Sequence, residues 1–187
     1  MLKVYNKLSI LLLGMLIIGN AHAWQHEISG GYGYSKELGY SEHHYGAFIN
    51  FKWHKFPKID KTLIFTIDSS FGSWNATTPE NNKLNTIALS GALRAYFATP
   101  EQLKYRPYLL ASFGPTFMST EDFGAQKQGA NFSFQTTMGG GMEIMTDQVN
   151  QRGVDFNIRM IHYCNAGLAS PNEGFDIFFV FSVGYLF

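Results

Sequence analysis

A histidine and the only cysteine of the sequence, His162 and Cys164, stand two positions apart. In a β-strand they would share one face, with Cα atoms roughly 6–7 Å apart, so that the imidazole reaches the thiol. A histidine that takes the proton of a thiol produces a thiolate, the nucleophile that ester hydrolysis by a cysteine requires. The pair alone is a weak signal, because both residue types are also ordinary at a strand end in the polar interface of a membrane.

The elements that would position this pair are β-strands. From residue 24 onward, apolar side chains alternate with small or polar ones, and turn-like segments interrupt the alternation. Around the pair, residues 154–160 alternate aliphatic or aromatic side chains with Asp155, Asn157 and Arg159. The whole pattern predicts eight strands, at 28–35, 45–53, 62–72, 86–97, 107–118, 132–144, 154–164 and 177–187.

Strands of about 9–12 residues are long enough to cross a membrane when they are tilted. One face is apolar and aromatic, and the other carries five charged residues: Lys52, Asp68, Arg94, Glu143 and Arg159. These charges would be costly in hydrocarbon but can pair inside a barrel. A soluble sandwich would reverse the two faces, and periodicity alone does not exclude it. Aromatic residues at the strand ends, and Phe187 at the terminus, favour an all-β fold, an eight-stranded antiparallel transmembrane β-barrel.

Residues 1–23 have the features of a secretory signal peptide. A positively charged start is followed by an apolar run over 8–18 and by a small-x-small cleavage site that ends at Ala23. The run is shorter than the about 20 residues that a membrane-spanning helix needs. We therefore expect cleavage after Ala23, with residues 24–187 forming the barrel domain.

Charge and composition exclude several classes of function. The 14 Lys and Arg residues balance the 14 Asp and Glu residues, which gives no support to nucleic-acid binding. One cysteine permits neither an internal disulfide nor a cysteine-rich metal site. The neighbours His43 and His44 would point to opposite faces of a strand, so they do not form a chelating pair. We expect no nucleic-acid partner and no metal site at these residues.

Strand order predicts where the pair lies in the membrane. If both termini are periplasmic, the segments 36–44, 73–85, 119–131 and 165–175 are external loops, and 54–61 and 98–105 are periplasmic turns. His162 and Cys164 then end the seventh strand, near the headgroups of the outer leaflet. They continue the apolar face of residues 154–160, so we expect them to face the lipid.

The residues from 162 to 176 read HYCNAGLASPNEGFD. This run resembles the outer-membrane lipid A 3-O-deacylases (the PagL-type family), whose signature is His-x-Ser-Asn-Ala-Gly, then Pro-Asn-x-Gly, then an acid two residues on. The spacing matches without a gap. Outside this segment the resemblance is architectural: an export signal, eight strands and a site at the end of the seventh.

The resemblance implies an eight-stranded outer-membrane barrel that hydrolyses the ester-linked acyl chain at the 3-position of lipid A, without metal or cofactor. It implies that His162 is the general base and that Cys164 stands in place of the nucleophilic serine. It further implies that Asp176 stands in place of the glutamate that orients the histidine. The remaining matches, with roles in oxyanion binding or loop shaping, are Asn165, Gly167 and Asn172.

Two positions depart from the signature. Cysteine for serine at 164 keeps a nucleophile, and aspartate for glutamate at 176 shortens the acid by about 1.5 Å, where a misplacement of ~1 Å can cost ~100-fold in rate. Together they are either compensating changes or the decay of a triad. Strand alternation also puts Asp176 on the lumen side with Phe178 and Ser182. We hypothesise that a β-bulge near Phe175 turns Asp176 outward.

The sequence therefore predicts an outer-membrane ester hydrolase that removes the 3-O-linked acyl chain from lipid A. Its expected partners are lipopolysaccharide and outer-membrane lipids, and a homodimer is left open. One alternative is a non-catalytic barrel with a surface or adhesion role. The other is an esterase that acts on outer-leaflet phospholipid. Only assays on defined lipids distinguish it from a lipid A deacylase.

Overall fold

The computed structural model describes residues 24–36, 41–55, 62–98 and 103–187. In these ranges, the segments with alternating apolar and polar side chains form ten β-strands. They are β1 (Trp24–Lys36), β2 (His43–Lys55), β3 (Leu63–Ala76), β4 (Lys83–Tyr96), β5 (Tyr105–Met118), β6 (Asp122–Phe123), β7 (Gln126–Lys127), β8 (Phe132–Asp147), β9 (Arg152–Cys164) and β10 (Phe175–Leu186). Eight of them close into an antiparallel barrel in the order β1-β10-β9-β8-β5-β4-β3-β2, and β6 pairs only with β7. The predicted eight-stranded barrel is confirmed.

Some of the predicted segments lie outside the described residues. They include the whole signal peptide, 1–23, and 37–40 of the first external loop. They also include 56–61 and 99–102 of the two periplasmic turns. In the described ranges, no helix is long and apolar enough to cross a membrane.

The barrel wall carries its apolar side chains outward. Strand β4 alternates between exposed and buried side chains at each of its 14 positions. Leu89 and Leu93 are on its exposed side, whereas Arg94 is fully buried. A soluble sandwich would have the opposite arrangement, so the sandwich alternative is wrong for this chain.

The interior is filled by a network of paired charges. Glu27 accepts hydrogen bonds from Arg94 at 2.7 Å and from Lys52, and it lies 3.1 Å from His54. The same Arg94 donates to Glu143 at 2.6 Å. Buried charges of this kind are tolerated only when they are paired, because each has lost its hydration. All five charged residues predicted for the lumen are buried there: Lys52, Asp68, Arg94, Glu143 and Arg159.

One end of the barrel is covered by residues 119–131, which we term the cap. The hairpin β6–β7 lies within the cap, and its Phe123 is fully buried. The Phe123 ring lies 5.1 Å from that of Phe175, whose ring stacks on Tyr163 at 4.7 Å. These rings belong to an apolar cluster that continues to Trp74. The segment predicted as a loop is therefore packed against the wall that carries the His162–Cys164 pair.

Replacing Arg94 by Leu should lower the free energy of unfolding by about 3–5 kcal/mol, because Glu27 and Glu143 then stay buried without their shared partner. Urea unfolding of the barrel in detergent micelles, followed by tryptophan fluorescence, measures this. The matched control is Leu93→Met on the outward side of the same strand. A loss no larger than that of the control would contradict a stabilising role for the network.

Candidate active site

His162 and Cys164 end strand β9 on the outer face of the barrel. The residues between and before them, Tyr163 and Ile161, are buried, whereas Ile158 on the face of the pair is exposed. The side chain of His162 is 35% exposed and that of Asp176 is 25% exposed. Both are open enough for a lipid to reach from the side. The predicted outward orientation of the pair is confirmed by this burial pattern.

Asp176 lies directly across from His162 in the β9–β10 ladder. Its Oδ1 atom is 2.8 Å from His162 Nδ1. Directly opposed residues of antiparallel strands have Cβ atoms about 4.5–5.5 Å apart, a span that an aspartate covers without a further methylene. The shorter acid therefore still reaches the imidazole.

A β-bulge explains why Asp176 is on this face. The ladder pairs Ile177 with Ile161 but Val180 with Arg159, so β10 has one extra residue between the two pairs. Ile177 and Val180 are both fully buried. The strict alternation predicted for this strand, with Ile177 outward and Asp176 in the lumen, is wrong. A bulge with the expected effect is present, although it follows Ile177 rather than lying near Phe175.

The hydrogen bond to Asp176 determines which nitrogen of His162 is left for chemistry. A carboxylate accepts at Nδ1, so that nitrogen carries the proton and Nε2 is free to accept one. The side chain of Cys164 also interacts with this ring, and the residue is half-buried. The three groups therefore form the acid–base–nucleophile series in which an imidazole takes the proton of the nucleophile.

Asn165 organises the loop that follows Cys164. The residue is fully buried, and its Nδ2 donates to the carbonyl of Ala169 at 3.0 Å and to that of Gln128. Its Oδ1 accepts from the N–H of Gly167 at 2.8 Å. The side chain is thus occupied by bonds to the loop and to the segment 119–131. The Asn165 N–H in turn donates to Asn172 Oδ1 at 2.9 Å. The Nδ2 atom of Asn172 takes no part in this bond.

Gly174 brings the returning loop against the pair. Its φ is +67°, a left-handed conformation that favours glycine. A Cβ at this position would lie 3.1 Å from His162 Cε1 and 3.7 Å from Cys164 Cβ. Gly167 also has a positive φ, of +79°, but a Cβ there would meet open space. Gly174 is therefore the glycine that the packing of the site requires.

The cap holds the loop from the other side. Lys127 donates its N–H to Glu173 Oε2 at 2.8 Å, and the N–H of Glu173 donates to the Lys127 carbonyl at 3.0 Å. Two residues farther on, Gly129 packs against the carbonyl of Ser170. The loop 165–174 is therefore held between the barrel wall and the cap.

Sequence reasoning missed two residues behind the site, Glu42 and His44. Both are buried, and Glu42 Oε2 lies 3.5 Å from His44 Nε2. The neighbour His43 is on the outer face, where its Nδ1 is 2.6 Å from Tyr34 Oη. The two histidines thus face opposite sides, as predicted. The alternation of side chains along β2 could therefore have predicted that His44 points into the barrel.

Within the described residues, no group of three or more His, Cys, Asp or Glu side chains is arranged to hold a metal ion.

The model of the lipid A 3-O-deacylase (PagL) family matches residues 43–185. The chain belongs to this family. The lipid A deacylase PagL of Pseudomonas aeruginosa is 30% identical to it over 76 residues. That alignment covers 41% of this chain and only 40% of the relative.

Two solved structures have a similar fold. A crystal structure of the outer membrane enzyme PagL has a TM-score of 0.59 at 23% identity, covering 88% of this chain and 98% of that one. A crystal structure of Neisserial surface protein A has a TM-score of 0.58 at 14% identity, covering 89% and 98% of the two chains. The likeness supports the barrel fold independently of the family match.

Because Cys164 is the only cysteine, a thiol reagent reports on this site alone. His162→Gln should slow alkylation of Cys164 by iodoacetamide at neutral pH by about tenfold, since the base that takes the thiol proton is lost. Mass spectrometry of the intact protein over time gives the rate. The control is His43→Gln, which removes another histidine from the same outer surface. Equal rates in wild type and His162→Gln would show that His162 does not activate the thiol.

Proposed function

We propose that this chain is an integral outer-membrane esterase that removes the 3-O-linked acyl chain from lipid A. The observation that carries the proposal is the Asp176–His162 hydrogen bond of 2.8 Å beside Cys164, on the outer wall of a barrel from the lipid A 3-O-deacylase family. The end of the barrel that carries the cap faces the cell exterior. The site then lies level with the headgroups of the outer leaflet.

In the first half of the reaction, Asp176 holds the Nδ1–H of His162 and Nε2 takes the proton of Cys164. The thiolate attacks the ester carbonyl, and a tetrahedral oxyanion forms. When this intermediate collapses, the bond between the acyl carbon and the 3-oxygen of the sugar breaks. His162 returns its proton to the departing 3-hydroxyl group, which leaves the acyl chain as a thioester on Cys164.

In the second half, His162 takes a proton from water, and the hydroxide attacks the thioester carbonyl. The carbon–sulfur bond then breaks, a fatty acid leaves, and Cys164 recovers its proton. The fatty acid and the 3-hydroxyl sugar together account for the atoms of the ester and one water. The chemistry therefore needs no group beyond the three side chains and a donor for the oxyanion.

Asn172 supplies that donor. Its Oδ1 is held by the N–H of Asn165, so its Nδ2 is the atom left to donate, and its side chain is exposed. Asn165 and Gly167 act by shaping the loop, because the Asn165 amide and the Gly167 N–H are bonded to one another or to loop carbonyls. A donor aimed at a developing oxyanion is worth about 2.7–4 kcal/mol of transition-state stabilisation.

The outer wall beside the thiol suits an acyl chain. Phe134 on β8 is the cross-strand neighbour of Cys164, and its ring stacks on Phe113 at 5.2 Å. Phe132 packs on Phe134 at 5.3 Å. An acyl chain in the outer leaflet can lie along these rings with its ester at Cys164. No channel through the barrel is needed.

Lipid A from cells that express the wild type should lose one 3-linked acyl chain, because Cys164 and His162 together cleave that ester. Mass spectrometry of extracted lipid A detects the loss. Cys164→Ala and His162→Ala should abolish it while the barrel remains in the outer membrane. Cys164→Ser tests whether the hydroxyl nucleophile of the family signature also works.

Full activity in either alanine variant would contradict the assignment of the triad. An unchanged lipid A with a correctly inserted wild type would favour the non-catalytic barrel. Release of fatty acid from phospholipid vesicles, with lipid A unchanged, would favour the phospholipid esterase instead.

Gly174→Ala should lower the rate of deacylation by about tenfold, since alanine is strained at a φ of +67° and its Cβ would push the His162 ring aside by a few tenths of an ångström. Deacylation of lipid A in mixed micelles measures the rate. Gly30→Ala is the control, because a Cβ there meets only an ordinary contact of 3.7 Å with the Phe48 carbonyl. A rate in Gly174→Ala equal to that of Gly30→Ala would show that the returning loop does not fix the ring.

A further inference from the structure

A second histidine–carboxylate pair lies directly behind the candidate triad, on the inner side of the barrel wall. His44 is fully buried between the rings of Phe123, at 4.7 Å, and Phe175, at 6.0 Å. Its Nε2 atom is 3.5 Å from the carboxylate of Glu42. The ring also interacts with the backbone of Asp176. The pair therefore touches the residue that orients His162, but from the opposite face of the strand.

Among the described residues, the start of β10 is paired with β9 but not with β1. The ladder between β1 and β10 ends at Tyr34 and Phe179, so it gives Asp176 no partner among the described residues of β1. The bulge after Ile177 also separates Asp176 from the regular part of β10. On the β1 side, the Asp176 carbonyl is held instead by the hydroxyl of Ser35, which donates to it at 2.6 Å. His44 is the cross-strand neighbour of Ser35.

The other end of the pair is fixed by the cap and a neighbouring loop. The Glu42 carboxylate accepts from Thr78 Oγ1 at 2.7 Å and from the N–H of Ala125 at 2.9 Å. Gly124 packs so closely on this carboxylate that a Cβ there would collide with it. Glu42 is thus a buried carboxyl group with three separate elements around it. Its position is determined before any substrate binds.

We propose that Glu42, His44 and Ser35 are positioning residues of the site, which hold the backbone of Asp176 so that its carboxylate stays opposite His162. They touch neither the thiol nor a substrate. Their effect on chemistry passes through Asp176 alone. For its effect on turnover the inference rests on the proposed function, whereas its effect on the reactivity of Cys164 does not.

The test is a double-mutant cycle read by alkylation of Cys164 with iodoacetamide in detergent micelles. His44→Phe keeps a ring between Phe123 and Phe175 but removes its polar atoms. In the wild-type background it should slow alkylation by about tenfold, because a displaced Asp176 no longer orients His162. In an Asp176→Ala background it should have no further effect, since coupled residues are not additive.

Ser35→Ala is the second variant, and it removes only the hydroxyl that donates to Asp176. It should slow alkylation in the wild-type background but not in the Asp176→Ala background. If His44→Phe does not fold, this variant alone tests the proposal. The control is His26→Phe, whose ring lies near Phe187 at 5.9 Å, at the opposite end of the barrel. The gel shift of the folded barrel on heating verifies that each variant is folded.

Three results would overturn the proposal: unchanged alkylation in the folded variants, an equal slowing in both backgrounds, or no effect of Asp176→Ala itself. An equal slowing would indicate general loosening of the wall rather than positioning through Asp176. A wild type that leaves lipid A unchanged while the cycle gives the expected coupling would refute the proposed function and leave this inference standing.

Discussion

Every side chain in a barrel wall must face either the lipid or the interior. The whole site depends on one strand, β10, in which the alternation between the two faces is interrupted. A single extra residue after Ile177 in β10 shifts the phase of the strand. Asp176 then lies on the outer face, opposite His162, while Ile177 and Val180 both point inward. Without the bulge the carboxylate would join the luminal charges. The imidazole would then have no partner on the lipid side.

The site is exposed on one side and rigidly supported on the other. Inside the barrel, Glu27 and Glu143 are held by a common arginine, which links strands that are far apart in sequence. Above this network, the rings around Phe123 join the cap to the wall. The loop that follows Cys164 is held between that cap and the wall. A solvated loop alone would not keep a nucleophile beside its base, because each free dihedral adds entropy to be lost.

Local pattern was enough to predict the barrel, since alternation reports directly on which face of a strand is apolar. It correctly predicted the luminal location of Lys52 and Arg94 and the outward face of His162. Alternation did not locate the bulge, because one inserted residue reverses the assignments on one side of it, here Asp176 and Ile177, and no residue type in β10 marks the place. The roles of Glu42 and the cap hairpin were also hidden. Their contacts join segments that are distant in the chain, which no short-range pattern encodes.

The outward-facing position of the thiol also determines which measure of substrate concentration controls the reaction. Under the proposed function, a lipid reaches Cys164 by lateral diffusion within a leaflet, so encounters take place in two dimensions. The mole fraction of substrate among the surrounding lipids then determines occupancy, while its amount per volume of buffer does not. Diluting a substrate with inert lipid or detergent at constant bulk concentration should therefore slow turnover in proportion to the fall in its mole fraction.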